Sequence, residues 1–362
     1  MGFSDVSISE LVPIRHCFAL YLPQFHAIPE NDQWWGPGFT EWTQLREARG
    51  WHPRQVIQTP GEFGWYDLGT IDIMDSQYKL ARDHGIDTFA FWHYWFGDND
   101  LLLEGPAEQL LASDLDVRFC LAWANHDWVH KAEKKILKRQ TYSQDPARHF
   151  AYLEPFFHDP RYRRIGGKPV FMVYEPRNHP GLAAFTEGLS HRAQASGLGG
   201  INFIFDRTRP DEPHARLCDY FFDAASALKF QPFFLRALTR LWRRMSPRAA
   251  QAPELSEYAD CATNLNRNLA PRQLPVVFPG WDTTIRYGAQ GLCLLDNNPG
   301  VFAESLERVA EVLSGRRLDD RIIIVKSWNE WAEGNILEPS REYGRSNLKA
   351  FAARFCLQDG TR

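Results

Sequence analysis

The stretch "RIIIVKSWNEWAEGNILEP", residues 321–339, runs from an apolar core segment into a loop of tryptophan, asparagine and glutamate. Ile322, Ile323, Ile324 and Val325 are β-branched and continuous, too short for a helix and without polar alternation. That is the pattern of a parallel strand covered on both faces. In a parallel α/β sheet the chemistry collects on the loops that follow the C-terminal strand ends, which is where Trp328, Glu330 and Glu333 fall.

Seven more such runs precede it: "HCFALYL" (16–22), "DTFAFW" (87–92), "VRFCLAW" (117–123), "PVFMVY" (169–174), "INFIF" (201–205), "DYFFDA" (219–224) and "PVVFPG" (275–280). Between them lie helical patterns at 70–85, 146–159, 179–197 and 298–315. In the first, Ile73, Gln77, Leu80 and Ala81 share a face; the last has Pro299 early and Gly315 just past its end. Eight strands alternating with helices predict an α/β fold, a single-domain (β/α)8 TIM barrel over residues 16–350. A lead-in (1–15) and a tail (351–362) flank it. The fifth-to-sixth connection is short for a helix, so the ring is expected to be imperfect there. An open doubly wound sheet is the alternative, but no Gly-rich turn follows an early strand.

Two segments interrupt the repeat: a long Trp-rich loop after the first strand (23–69) and a basic insertion before the seventh (229–256). In the insertion Phe234, Leu238, Leu241 and Met245 fall on one helical face among arginines, so residues 234–248 are expected to offer peripheral contact with the inner membrane. A formal net charge of −4 marks no nucleic-acid binder. The six cysteines are scattered without a CxxC pair, the usage of free thiols in a reducing compartment. The start lacks a basic segment followed by a long apolar one, so no secretory signal is expected. The resulting expectation is a cytoplasmic protein without metal or cofactor.

Twelve of the thirteen tryptophans map to strand ends or to the first loop, which suits the flat C–H faces of sugars with N–H groups left for hydroxyls. The candidate sugar-contacting residues follow the strands. The first strand and its loop supply Tyr21, Gln24, His26, Trp35, Glu41 and Trp42. The second supplies His93, Tyr94 and Trp95; the third Trp123, Asn125 and His126; the fourth Tyr174. The seventh supplies Trp281, Asp282 and Arg286, and the eighth Trp328, Asn329 and Trp331. Asp127, Glu175, Asp206 and Asp223 point to the same end. His126 and His130 stand four apart but lack the HExxH order of a zinc helix.

Glu330 and Glu333 are the candidate catalytic pair. If residues 329–334 begin a helical turn, their Cβ atoms lie about 5–6 Å apart. Glycoside chemistry with retention needs two carboxyl groups roughly 5 Å apart, one protonated for the leaving oxygen and one charged at the anomeric carbon. Two acids at a helix N-terminus are the structural alternative.

The motifs "YLPQFHAIPENDQWWGPGFTEWT" (21–43), "HGIDTFAFWHYWF" (84–96), "LAWANHDW" (121–128), "GGKPVFMVY" (166–174), "FPGWDTTIR" (278–286) and "WNEWAEGNILEP" (328–339) resemble the WbsX-type family of bacterial polysaccharide and O-antigen (lipopolysaccharide) clusters, related to the endo-α-mannosidases of glycoside hydrolase family 99. The resemblance implies a barrel enzyme that makes or breaks glycosidic bonds with retention. Glu330 would be a general base on the neighbouring 2-hydroxyl, forming a 1,2-anhydro sugar, and Glu333 the general acid/base; in the usual double displacement Glu330 is itself the nucleophile. The substrate would be a bacterial polysaccharide or its lipid-linked precursor. A sugar-nucleotide-dependent glycosyltransferase and a non-catalytic glycan-binding barrel are the alternatives. Three departures from the family pattern fall at the mouth: His126 with Asp127, Lys229, and Thr283. Loss of negative charge at the first two points to a more acidic glycan.

Overall fold

The computed structural model describes residues 11–130, 133–142, 145–229 and 252–358. All eight apolar runs are parallel strands: β1 (His16–Tyr21), β2 (Thr88–Trp95), β3 (Phe119–Trp123), β4 (Lys168–Val173), β5 (Asn202–Phe205), β6 (Tyr220–Phe221), β7 (Val276–Val277) and β8 (Ile322–Val325). They form one curled sheet in the order β6-β5-β4-β3-β2-β1-β8-β7. Between β6 and β7 no regular ladder forms among the described residues. The edge is spanned by one parallel bridge from Phe221 to Gln273 and by two backbone hydrogen bonds, Phe221 N–H to Arg272 and Leu274 N–H to Phe221. The fifth-to-sixth connection is indeed short, with a single 3-10 turn, Pro213–Arg216, but β5 and β6 still pair in parallel, and the irregular edge falls one strand later than expected, between β6 and β7.

The strands are buried on both faces, as their uninterrupted apolar character requires. Helices Asp72–Asp83, Ala147–His158, Leu182–Ala195 and Pro299–Ser314 lie within the four predicted segments. Asn298 caps the last by accepting from the Gly300 and Val301 N–H groups, ahead of Pro299. The buried stripe of Asp72–Asp83 is Met74, Gln77, Tyr78, Leu80 and Ala81, so Ile73 sits at its margin. The lead-in and tail pair with each other: Val12–Ile14 lies parallel to Phe355–Leu357. Glu254–Glu257, the end of the basic insertion, pairs with Leu292–Leu295. Residues 234–248, for which a membrane contact was expected, lie outside the described residues. No helix among the described residues is long and apolar enough to cross a membrane. All six cysteines are free thiols, and five are buried.

The N-terminal end of the sheet is held by a charge cluster. The Asp87 carboxylate forms an ion pair with Arg163 Nη2 at 2.7 Å, accepts from the Cys17 N–H at 2.8 Å, and stands 3.3 Å from His16 Nδ1. Burial works against the Asp87 charge, but Arg163 and His16 outweigh it and hold its pKa below the ordinary 3.8. The stabilisation is thus complete above that value and is lost as pH falls through the lower, folded one. Asp87→Ala leaves the Arg163 guanidinium buried without its partner and is expected to cost about 3–5 kcal/mol in urea unfolding at pH 7. In the variant the acid limb of the stability profile below about pH 4 becomes shallower.

Candidate active site

The strand-eight segment leaves the sheet as a tight hairpin. Asn329–Glu330 pairs antiparallel with Asn335–Ile336 around a 3-10 turn, Trp331–Glu333. The expected helical start is therefore a three-residue turn, and its acids owe nothing to a long helix dipole. Gly334 closes the turn at φ 59°, and a Cβ there would lie 2.9 Å from the Asp282 Cβ, so both backbone and space demand glycine. Ser327 Oγ accepts from the Glu330 N–H at 2.9 Å and donates to the Asn335 carbonyl at 2.6 Å. Asn329 clamps the loop after β1, accepting from the Leu22 N–H at 2.7 Å and donating to its carbonyl at 3.1 Å.

Glu330 is 5% exposed. Its carboxylate accepts from Trp92 Nε1 at 2.6 Å and from Lys326 Nζ at 2.9 Å. Lys326 lies over the Trp281 ring, 5.0 Å from its centroid. Burial opposes the ammonium, yet Glu330 and Glu333 together carry its pKa above the ordinary value, so Lys326 stays protonated. Glu333 is more open: Arg286 Nε approaches it to 3.8 Å, and its side chain keeps 20% of its exposure.

Both glutamates line one cavity of about 510 Å³. Trp92, Tyr94, Tyr174 and Trp281 form its aromatic walls. Asp206 at the end of β5 stands at its edge, its carboxyl pushed up to about 7 by burial. Arg207 ties that side together, pairing with Glu175 at 3.2 Å and stacking 4.7 Å from the Tyr174 centroid. A second cavity of about 470 Å³ adjoins it, lined by Gln24, Trp35, Phe39, Trp128 and His130. Tyr94, His126, Arg286, Tyr287 and Gln290 border both, so the two make one continuous cleft.

Of the expected contacts, Gln24, Trp35, Tyr94, His126, Tyr174, Trp281 and Arg286 line this cleft together with the pair. The others lie behind it or to one side. Trp328, Trp331 and Trp123 are fully buried; Trp331 Nε1 donates to Glu338 at 2.7 Å and Trp123 Nε1 to the Trp95 carbonyl at 2.8 Å. Trp42 Nε1 donates to the Tyr66 carbonyl, and Tyr21 OH to Gln77. Trp95 stacks on His149, and His93 faces His149 across 2.9 Å, its pKa pushed down to about 3 by burial. Asn125 clasps the Glu175 backbone, Asp282 accepts from Thr284 and Gln55, and His26 bonds the Pro23 carbonyl. Glu41 is buried under the strand-eight turn. The aromatic cap is thus largely scaffold, with a working face of few rings.

Trp92, Lys326 and Arg207 are cleft neighbours absent from the expected contacts, while Asp206 stands at the end where it was expected. Lys326 carried a readable signal, since an ammonium inside a buried strand run demands a partner, and Glu330 stands four residues on. His126 lines the cleft, while the Lys229 side chain lies outside the described residues. Among the described residues the inner cavity carries five carboxyl groups (Glu175, Asp206, Glu254, Glu330 and Glu333) beside Arg207, Arg286 and Lys326.

Lys326→Met leaves Glu330 buried without its ammonium and is expected to destabilise the protein by about 3–5 kcal/mol. Adding Glu330→Gln removes the stranded charge. Chemical denaturation should find the double variant more stable than Lys326→Met alone, a non-additivity that an unpaired Lys326 would not produce.

The family model described as "Glycosyltransferase WbsX" matches residues 17–351. The WxcX proteins of two Xanthomonas campestris pv. campestris strains are 32% and 33% identical over 361 residues. These alignments take in 97% of this chain, which spans about half (51%) of the relatives' length. Among solved structures, the GH99 endo-α-mannosidase of Bacteroides thetaiotaomicron superposes with a TM-score of 0.57 at 17% identity, over 93% of this chain and 95% of that one. A structure titled glycoside hydrolase-like protein gives 0.57 at 14%, over 98% of both chains. These two likenesses concern the fold: a curled α/β sheet like that of the GH99 barrels. With the family model covering nearly the whole chain, the protein belongs to the WbsX glycosyltransferase family.

Proposed function

We propose that the protein is a carbohydrate-active enzyme that cleaves or transfers a glycosidic bond with retention, on a bacterial polysaccharide or its lipid-linked precursor. The observation that carries this reading is the unlike setting of two carboxyl groups on one cavity. Glu330 is anchored by the Lys326 ammonium and the Trp92 indole N–H, whereas Glu333 reaches into the open cleft beside Arg286.

In this scheme Glu330 removes the proton of the sugar 2-hydroxyl. The freed oxygen closes on the anomeric carbon as the glycosidic bond breaks, and Glu333 gives its proton to the leaving oxygen. In the second half Glu333 takes a proton from water or an acceptor hydroxyl. That oxygen opens the 1,2-anhydro ring at the anomeric carbon, and Glu330 returns the proton to O2. Two inversions give net retention. Direct attack by Glu330, giving a glycosyl-enzyme, uses the same atoms. The continuous cleft supports a substrate longer than one sugar. The family's description favours a second reading, transfer from a nucleotide sugar, in which Glu333 activates the acceptor.

Wild type, Glu330→Gln and Glu333→Gln are compared on activated glycosides, nucleotide sugars and bacterial glycans, with products followed by NMR. Both variants should lose about 10²–10⁴-fold in turnover. Glu333→Gln should lose least on activated leaving groups, which need no proton. Consumption of nucleotide sugars alone would select the transferase, and glycan binding without turnover, equal in all three proteins, would mean a glycan-binding barrel.

A further inference from the structure

Glu41 opens the short helix Glu41–Glu47 in the loop after β1, and this helix lies against the Trp331–Glu333 turn, with Trp42 and Trp331 rings 5.8 Å apart. Glu41 is 1% exposed and borders neither half of the cleft among the described residues. One of its oxygens, Oε1, accepts twice: from Arg286 Nη2 at 2.7 Å and from the Ala332 N–H at 3.0 Å. The same guanidinium faces Glu333 from 3.8 Å through Nε, which has no hydrogen-bond acceptor among the described residues. Arg286 therefore stands between two carboxylates and is held closely by only one.

We propose that Glu41 is a positioning residue that draws the charge of Arg286 to itself and so lets Glu333 hold a proton at the cleft. This rests on the reading of Glu333 as the acid/base group. A guanidinium beside a lone carboxylate keeps it ionised, which would disable a general acid. Neutralised by Glu41, Arg286 can orient Glu333 without stripping its proton. Electrostatics agree with the geometry: burial, then opposition from Arg286, leaves the Glu41 carboxyl raised, and its charge is felt by Glu333 and Glu330. Arg286 is held firmly protonated against burial by Glu41 and Glu333.

Among the described residues, Glu333 shares the cavity with Tyr94 from β2, Tyr174 just after β4, Tyr287 beside Arg286, and Lys326 and Glu330 after β8. None of these is altered by substitution at Glu41. Glu41→Gln is the informative change because its amide oxygen still accepts the Ala332 N–H. A merely structural Glu41 would tolerate it with no change in the titration of Glu333.

The test is carboxyl ¹³C NMR of glutamate-labelled protein across pH, with the Glu333 signal assigned by its loss in Glu333→Gln. In Glu41→Gln the Glu333 midpoint should fall by about one pH unit. By reciprocity, Glu333→Gln should lower the Glu41 midpoint by the same amount. That second shift decides the matter should Glu41→Gln fail to fold, since the Glu333 side chain is partly exposed and not a core element. An unchanged Glu333 midpoint in folded Glu41→Gln, or an unchanged Glu41 midpoint in Glu333→Gln, overturns the proposal. With an alkyl α-mannoside as probe, whose poor leaving oxygen needs the Glu333 proton, the alkaline limb of turnover should move down with the Glu333 signal. NMR shifts in a protein that turns over none of the glycosides would uphold the charge sharing and overturn only the catalytic reading on which it rests.

Discussion

A carboxylate taken out of water costs several kcal/mol even after relaxation, and it stays ionised only where opposite charge and donors meet it. Glu330 meets both: the Lys326 ammonium at 2.9 Å and the Trp92 indole N–H at 2.6 Å. The two partners come from neighbouring regions of one sheet. Lys326 follows β8, and Trp92 lies within β2, across β1. The pair therefore forms only when these strands stand in their native register, so this buried charge also reads whether the sheet is correctly assembled. Ser327 and Asn329 then fix the backbone that carries Glu330, one from inside the hairpin and one from the β1 loop.

The sequence exposed the sheet almost completely because its strands are covered on both faces, and burial of that kind leaves continuous apolar runs with little to confuse them. It was right that 205–220 has room for only a 3-10 turn, but the strands on either side of that turn still pair, and the irregular edge of the ring lies between β6 and β7. The hairpin at 329–336 was less legible. An ExxE spacing fits a helix start and a 3-10 turn alike, and the deciding facts are long-range: the Ser327 hydroxyl, the Leu22 clamp and the Asp282 backbone against Gly334.

The tryptophans show a different limit. Placement at a strand end predicts proximity to the mouth, and it holds for Trp92, Trp281 and Trp35. It does not say which side of the sheet a ring takes. Trp123 and Trp328 turn into the core, where their bulk fills the space between strands and surrounding elements, and Trp331 turns under the hairpin to donate to Glu338. Indoles of both kinds are needed for a rigid cleft, because a ring that faces ligand keeps one fixed orientation only if others pack behind it. Composition counts them all alike.

The same argument applies with more force to the glutamates. Four stand within or against one short hairpin, and identical side chains acquire different tasks from their surroundings. Glu330 is paired with an ammonium. Glu333 stands in the cleft beside a guanidinium that Glu41 already holds. Glu338, enclosed by three neutral donors from Trp331, Tyr66 and Gln77, is pushed up to about 7 by burial, so it fixes the indole of Trp331 with a charge that is only marginally retained at neutral pH. Separating an acid from a base requires unlike environments for like groups. Here the unlikeness comes from elements far apart in the chain: the loop after β1, the loop after β7 and the end of β8. The hairpin motif supplies the carboxyl groups, and the rest of the barrel end decides what each one does.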